Sequence, residues 1–215
     1  MPIAGSSTAW AQNSNGAPAL SLGLVLLSTL ISPLTTPVSL NTVGLMARGE
    51  YATELHALAG YGTAAFLILC VLVPSVAGIV LHWAIGEVRM ASVKPQLKLF
   101  NSINLLLLSY SNASVSLPQT VANPDWDFLV VTLVIVVSLC VVAFTSGWLI
   151  ARILKTDRPQ RASLMFGLGM NNNGTGLVLA SMTLSSFPGV MVPIIFYNLV
   201  QHLVAGGVDF VFSRA

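Results

Sequence analysis

Three consecutive asparagines, Asn171 to Asn173, lie inside a hydrophobic segment that spans residues 164–181 and also contains four glycines. Carboxamides in an apolar environment lose their water and need hydrogen-bond partners. Glycines lower the helix propensity of the backbone around them. The asparagine oxygens, with carbonyls freed by unwinding near Gly169 and Gly174, are the hard, neutral ligands that suit a small cation such as sodium. The pattern predicts an interrupted helix whose polar atoms bind a small solute.

A second polar, glycine-containing stretch covers residues 5–16. One interpretation is half of a broken helix whose N-terminal end faces an ion or an anion; the other is a disordered polar terminus. Residues 4–37 roughly echo residues 169–202, because each begins with a polar break that a short helix and a proline-bearing span follow. Paired interruptions in two halves of a chain are typical of a transporter binding site.

A third polar group lies near the C-terminal end, in the last apolar segment. Asn198, Gln201 and His202 are three and four residues apart, so they share one face of a helix. Polar residues within a membrane span tend to face the bundle interior or a pathway. His202 is either a hydrogen-bonding side chain or a proton relay, and Asp209 is close enough to the end of the helix to be interfacial.

The sequence contains no nucleophile–base constellation, phosphate-binding loop or metal-ligand cluster, so it does not indicate an enzyme. Cys70 and Cys140 lie in apolar runs without metal-binding or redox spacing, which is typical of small buried hydrophobic residues. The net charge of +2 is too small to indicate a nucleic-acid partner.

The elements that must hold these groups are membrane helices. The 215 residues are 55% hydrophobic and only 7% charged, against about 25% charged residues in an ordinary soluble domain. This composition predicts an all-α, polytopic membrane protein that forms a single transmembrane domain over residues 1–215. About six spans are expected, together with a partial N-terminal half-helix and a discontinuous helix near 167–176; the spans cover residues 17–40, 57–84, 96–118, 127–152, 160–186 and 189–212.

The basic residues predict the orientation of these spans. They fall on every second loop, and the intervening loops at 118–126 and 185–189 have none, while the loop at 41–56 has only Arg48. By the positive-inside rule the C-terminus is cytoplasmic, and we expect the protein in the cell (inner) membrane. The residues concerned are Arg89, Lys94, Lys98, Arg152, Lys155, Arg158, Arg161 and Arg214.

Three segments resemble the bile acid:sodium symporter family over nearly the whole chain: residues 28–37, residues 72–78, and the run Gly169-Met170-Asn171-Asn172. The resemblance implies ten helices in two inverted five-helix repeats, with helices four and nine broken where they cross. Residues 1–40 would be the end of the first repeat and residues 56–212 the second. On this pattern the chain starts within helix four, and helices one to three would be absent.

The resemblance also implies a site. Sodium would be bound by Ser7, Thr8, Ser21, Leu168, Met170 and Asn171. With the polar groups described above, the substrate would contact Thr8, Asn172, Asn173, Asn198, Gln201 and His202. Four positions depart from the family pattern. Gly167 stands where the family has its sodium-binding carboxylate, and Val25 stands for a threonine ligand. Asn171 stands for a glutamine, and Thr8 stands for the asparagine of a Ser-Asn pair. Coupling to one sodium, to another cation or to protons stays open.

The predicted function is therefore secondary active transport, with sodium-coupled uptake of an organic anion, bile-acid-like or a small carboxylate, by alternating access. The partners would be that anion, sodium and the lipid bilayer, without a further cofactor. The alternative is a truncated, transport-inactive membrane fragment or a subunit that depends on a partner.

Overall fold

The computed structural model describes residues 1–122, 124–184 and 188–214. The chain is 86% helical, and within the described residues the only extended pairing is an isolated antiparallel bridge between Ile3 and Asn171. This confirms the predicted all-α class. The helices are α1 Ser6–Asn13, α2 Pro18–Gly44, α3 Glu50–Ala59, α4 Tyr61–Phe66, α5 Val73–Ile85, α6 Glu87–Ala122, α7 Trp126–Ile153, α8 Arg158–Gly169, α9 Asn173–Thr183 and α10 Met191–Arg214, with a π-helical segment at Leu67–Leu72 and a 3₁₀ turn at Pro188–Val190.

Four helical stretches among the described residues are long and apolar enough to cross a membrane, at Pro18–Gly44, Gly62–Ile85, Trp126–Ile153 and Met191–Phe212. They correspond to four of the predicted spans. The two others fall on α6, which is longer than predicted at both ends, and on the pair α8 and α9. The end of the predicted fifth span, at 186, lies outside the described residues. The count of six spans stays a prediction.

One of the two prolines inside α2, Pro33, is compensated by a neighbouring hydroxyl group. Pro33 has no N–H to donate to the carbonyl of Thr29, four residues earlier. The Oγ of Ser32 donates to that carbonyl instead, at 2.9 Å. Serine and threonine side chains satisfy freed backbone groups in this way within membranes, so α2 continues from Pro18 to Gly44 through Pro33 and Pro37.

The region predicted as a loop at 41–56 is largely helical, which corrects that expectation. The helix α2 continues to Gly44 and α3 begins at Glu50. Leu55, Leu58 and Ala59 follow i, i+3, i+4 spacing and are buried in a cluster with Leu177 and Leu179 of α9. This one-sided apolar stripe stabilises α3.

The predicted second span is divided, and the division has a local cause. A break at Gly60 separates α3 from α4, and the π-helical segment ends at Leu72, two residues before Pro74. Pro74 cannot donate to the carbonyl of Cys70, so the ordinary helical bonding pattern is lost at this point.

The core that surrounds the asparagine run joins α1, α7, α8 and α10. Phe166 is fully buried and contacts Phe144 edge to face, with ring centroids 6.0 Å apart. The absence of a side chain at Gly147 lets α7 approach α8 closely, because a Cβ there would lie 2.7 Å from both the carbonyl oxygen of Leu164 and the Cα of Met165. The half-helix before the break is therefore held against a full-length span.

Candidate functional site

The helix that carries the asparagines is interrupted where the sequence predicts it. The helix α8 ends at Gly169, Met170 is extended with φ −120° and ψ 120°, and α9 begins at Asn173. Oδ1 of Asn172 accepts the backbone N–H of Thr175 at 3.1 Å, so this side chain caps α9. Asn172 thus starts the second half-helix.

The extended residues 2–4 cross this break in antiparallel orientation. The N–H of Ala4 donates to the carbonyl of Met170 at 3.0 Å, and the N–H of Asn172 donates to the carbonyl of Pro2 at 2.9 Å. The N–H of Ile3 donates to Oγ of Ser28 on α2, at 3.0 Å. The two unwound segments, which we call the crossing (residues 2–4 and 170–172), therefore satisfy each other's backbone groups.

Gln201 of α10 fixes Asn171 in the crossing. The side chain is 1% exposed. Its Oε1 accepts the N–H of Asn171 at 3.1 Å, and its Nε2 donates to the carbonyl of Asn171 at 3.3 Å and to Oδ1 of Asn198 at 3.4 Å. One helical turn earlier, the hydroxyl of Tyr197 accepts Nδ2 of Asn171 at 3.0 Å. The shared face of Asn198 and Gln201 thus contacts the crossing, as their spacing suggests.

Two buried polar atoms close to the crossing have no hydrogen-bond partner within the described part of the chain. They are Oγ of Ser7, in the first turn of α1, and Nδ2 of Asn173, in the first turn of α9. Thr8, next to Ser7, is partly buried. Unsatisfied polar atoms in an apolar interior cost free energy, so a solute that contacts them would recover this loss.

Other predicted sodium ligands already bond to protein groups. Oγ of Ser21 donates to Oγ of Ser163 at 2.9 Å, and that hydroxyl donates to the carbonyl of Ala17 at 3.0 Å, so Ser21 joins α2 to α8. The carbonyl of Met170 accepts the N–H of Ala4. Leu168 lies within α8, in its last turn.

The position of the family carboxylate is closed by a hydrocarbon side chain. A Cβ added at Gly167 would lie 2.9 Å from Cδ1 of Leu24. Gly167 is buried, and the leucine occupies the space into which a longer side chain would extend. Among the described residues, no group of three or more His, Cys, Asp or Glu residues could hold a metal ion.

His202 lies against α1. Its Nδ1 accepts the indole N–H of Trp10 at 3.3 Å, and the Trp10 ring stacks on Phe166 with centroids 6.3 Å apart. This contact fits the hydrogen-bonding interpretation of the histidine. Asp209 also binds α1, because its carboxylate accepts Nδ2 of Asn13 at 2.7 Å and the hydroxyl of Ser14 at 2.6 Å.

Sequence reasoning missed three residues that build this site, namely Tyr197, Ser28 and Ser163. Tyr197 lies four residues before Gln201, so helical spacing was a usable signal for it. Ser28 and Ser163 gave no such signal, because their partners lie 25 and 142 residues away in the sequence.

An apolar cavity of about 470 Å³ adjoins the crossing. Side chains of α7 and α10 form most of its wall, and the polar groups of Thr132, Asn171, Asn173 and Tyr197 line it as well. A mainly apolar cavity with a few convergent polar groups is the usual form of a small-molecule site.

A broken helix that an extended segment crosses, among apolar helices long enough to span a membrane, is typical of an integral, multi-pass membrane transporter. The model of the SBF-like CPA transporter family matches residues 2–213, so the chain belongs to this family. The bile acid:sodium symporter family is a close relative of this family, so the predicted relationship is confirmed to that extent.

Two relatives come from Bacillus subtilis (strain 168). "Uncharacterized protein YbaS" is 28% identical over 215 residues, which are 100% of this chain and 66% of the relative. "Uncharacterized sodium-dependent transporter YocS" is 23% identical over 196 residues, which are 88% of this chain and 56% of the relative. The chain thus spans between about half and two thirds of the length of these relatives.

Proposed function

We propose that this chain forms the solute-binding region of a secondary transporter, which couples sodium to the uptake of an organic anion by alternating access. The observation that carries the proposal is the crossing, where residues 2–4 and 170–172 are both extended and bond to each other. Irregular backbone at membrane depth is tolerated where protein or a cavity surrounds it, and transporters place their sites at such points.

The first turns of α1 and α9 supply the groups for an anion. The N-terminal end of a helix carries a partial positive charge and attracts anions. Nδ2 of Asn173 is a buried donor without a partner among the described residues, and a carboxylate or sulfonate oxygen would accept from it. Of the six proposed substrate residues, Asn172, Asn198, Gln201 and His202 already bond to protein groups. Thr8 and Asn173 are therefore the best candidates for direct contact.

One sodium ion, held by neutral oxygens, fits the ligands better than two. Oγ of Ser7 is buried and has no partner in the part of the chain that the structure describes. The proposed set is completed by the carbonyl oxygens of Leu168 and Met170 and by the side chains of Thr8, Ser21 and Asn171. The carboxylate that the family uses is replaced by Gly167 and Leu24. The relative with "sodium-dependent transporter" in its name supports sodium as the coupling ion.

Uptake of a radiolabelled organic anion into proteoliposomes, with and without an inward sodium gradient, tests the proposal. We expect saturable uptake that sodium stimulates, and we expect Asn171→Ala to abolish the stimulation. Asn41→Ala is the control, because Asn41 bonds to His56 at the far end of α2. Sodium stimulation that survives unchanged in Asn171→Ala would remove this residue from the ion site.

The second candidate is a transport-inactive fragment or a partner-dependent subunit. It is favoured by the part-length match to both relatives, at 66% and 56% of their chains. The same assay separates the two, if cooperative thermal unfolding first shows that the protein is folded. Absence of flux with and without sodium from a folded sample supports the second candidate and contradicts the first.

A further inference from the structure

A second cavity, of about 770 Å³, lies at the opposite end of α8 from the crossing. We call it the arginine cavity; its lining residues are Trp148, Arg158, Arg161, Met165, Val204, Gly207, Val208, Val211 and Phe212. One part of the wall is basic and the rest is almost wholly apolar. No acidic side chain lines it within the described part of the chain.

The two arginines supply positive charge together with hydrogen-bond donors that are not all used. Nε of Arg161 is buried and has no hydrogen-bond partner among the described residues. Arg158 is anchored, because its Nη2 donates to the backbone carbonyl of Phe212. An arginine has five N–H donors, so one bond leaves others for a ligand. The nearby acids have other partners: Asp157 accepts the N–H of Gln160, and Asp209 binds α1.

The rest of the cavity suits a hydrocarbon chain. Val204, Val208 and Val211 follow i, i+4, i+7 spacing and form one apolar stripe on α10. Gly207 leaves a gap beside them, since a Cβ there would meet no atom within 4 Å. The cavity therefore pairs guanidinium groups with an apolar channel.

We propose that the arginine cavity binds an acidic phospholipid, with the phosphate at Arg158 and Arg161 and an acyl chain along the valine stripe of α10. Arg152, Lys155, Arg158 and Arg161 form the basic segment that the charge pattern assigns to the cytoplasmic side. That leaflet carries the anionic lipids, and basic pockets between helices bind their head groups. The site is separate from the crossing, so it does not depend on the proposed transport substrate.

Retention of lipid by the purified chain tests the proposal, measured by native mass spectrometry in detergent after equal loading with phosphatidylglycerol or phosphatidylcholine. We expect preferential retention of phosphatidylglycerol. Arg158→Gln/Arg161→Gln should weaken its binding by about fivefold per lost charge, roughly 25-fold in all. Lys155→Gln is the matched control, because it removes a neighbouring exposed charge outside the cavity. Equal retention of both lipids, or an equal loss in Lys155→Gln, would overturn the proposal.

A second variant tests the acyl-chain part without altering charge. Gly207→Leu would project into the cavity and should reduce phosphatidylglycerol retention severalfold, whereas Gly23→Leu, at an equally open position on α2, should not.

Glycerol 3-phosphate and inorganic phosphate distinguish a lipid from a free anion. Thermal stabilisation by phosphatidylglycerol alone supports the lipid; equal stabilisation by either soluble anion would overturn that assignment.

Discussion

Gln201 acts on Asn171 as a neighbouring peptide group would. Its carboxamide presents one acceptor and one donor to the N–H and carbonyl of the same residue. Without Gln201 the N–H of Asn171 would lose its hydrogen bond, whereas the carbonyl would keep the N–H of Asn173 at 2.9 Å. Because Gln201 is buried, water cannot easily take the place of its carboxamide, so losing it would cost the free energy of an unpaired backbone group.

We therefore expect Gln201→Leu to destabilise the protein, by about 1–3 kcal/mol, since it leaves the N–H of Asn171 without its partner. Thermal unfolding in detergent, followed by tryptophan fluorescence, measures the effect. Gln160→Leu on the exposed side of α8 is the matched control and should change the midpoint little. A midpoint for Gln201→Leu equal to that of the control would show that Gln201 does not hold the crossing.

At the scale of single residues, the sequence identified the polar residues of the site better than the groups that they contact. Asn171, Gln201 and Asn198 stand out as carboxamides in apolar segments, and the structure brings them together. The contact of Leu24 with Gly167 was not predictable, because neither residue type nor local spacing shows which side chain fills the space beside a glycine.

Among the elements, α7 and α8 bring their backbones close together. It depends on Gly147, where a Cβ would lie 2.7 Å from atoms of the facing backbone. A flexible side chain can relieve such a contact by changing its rotamer, but backbone atoms cannot. A Cβ at Gly147 would therefore force α7 and α8 apart.

Gly147→Ala should accordingly destabilise the protein by roughly 1–3 kcal/mol through overpacking, although alanine is the better helix former. Gly23→Ala on α2 is the control, because its Cβ would meet no atom within 4 Å; we expect it to be neutral or stabilising by about 0.5–1 kcal/mol. Urea or thermal unfolding of both variants gives the comparison. Similar stabilities for the two would contradict the proposed close contact.

Elements with strong local signals were predicted, and those that depend on distant contacts were not. Long apolar runs gave α2, α7 and α10 nearly at their observed limits. Most of α3 falls in the predicted loop at 41–56, because the helix is short and its apolar stripe is buried only against α9. Pro74 marks where ordinary helical bonding is lost, but the residue types do not specify that the preceding turn is π-helical.

For the whole molecule, the alternation of basic loops predicts a cytoplasmic C-terminus. A fluorescent-protein fusion after Ala215 should be fluorescent, and an alkaline phosphatase fusion after residue 124, between α6 and α7, should be active. The controls are the same two positions with the reporters exchanged. An alkaline phosphatase fusion after Ala215 should be inactive, and a fluorescent-protein fusion after residue 124 should not be fluorescent. The opposite pattern would invert the assigned orientation and would place the arginine cavity in the outer leaflet.

The backbone bridge between Ile3 and Asn171 also restricts how the molecule can move. Pulling the strands of the crossing apart would expose at least two peptide groups to hydrocarbon at once. The helix α2 contacts the crossing through Ser28, and α10 contacts it through Gln201. The crossing, α2 and α10 would therefore move as one unit. Under the proposed transport function, a solute would reach either side when the surrounding helices slide past the crossing, and the crossing itself would not have to open.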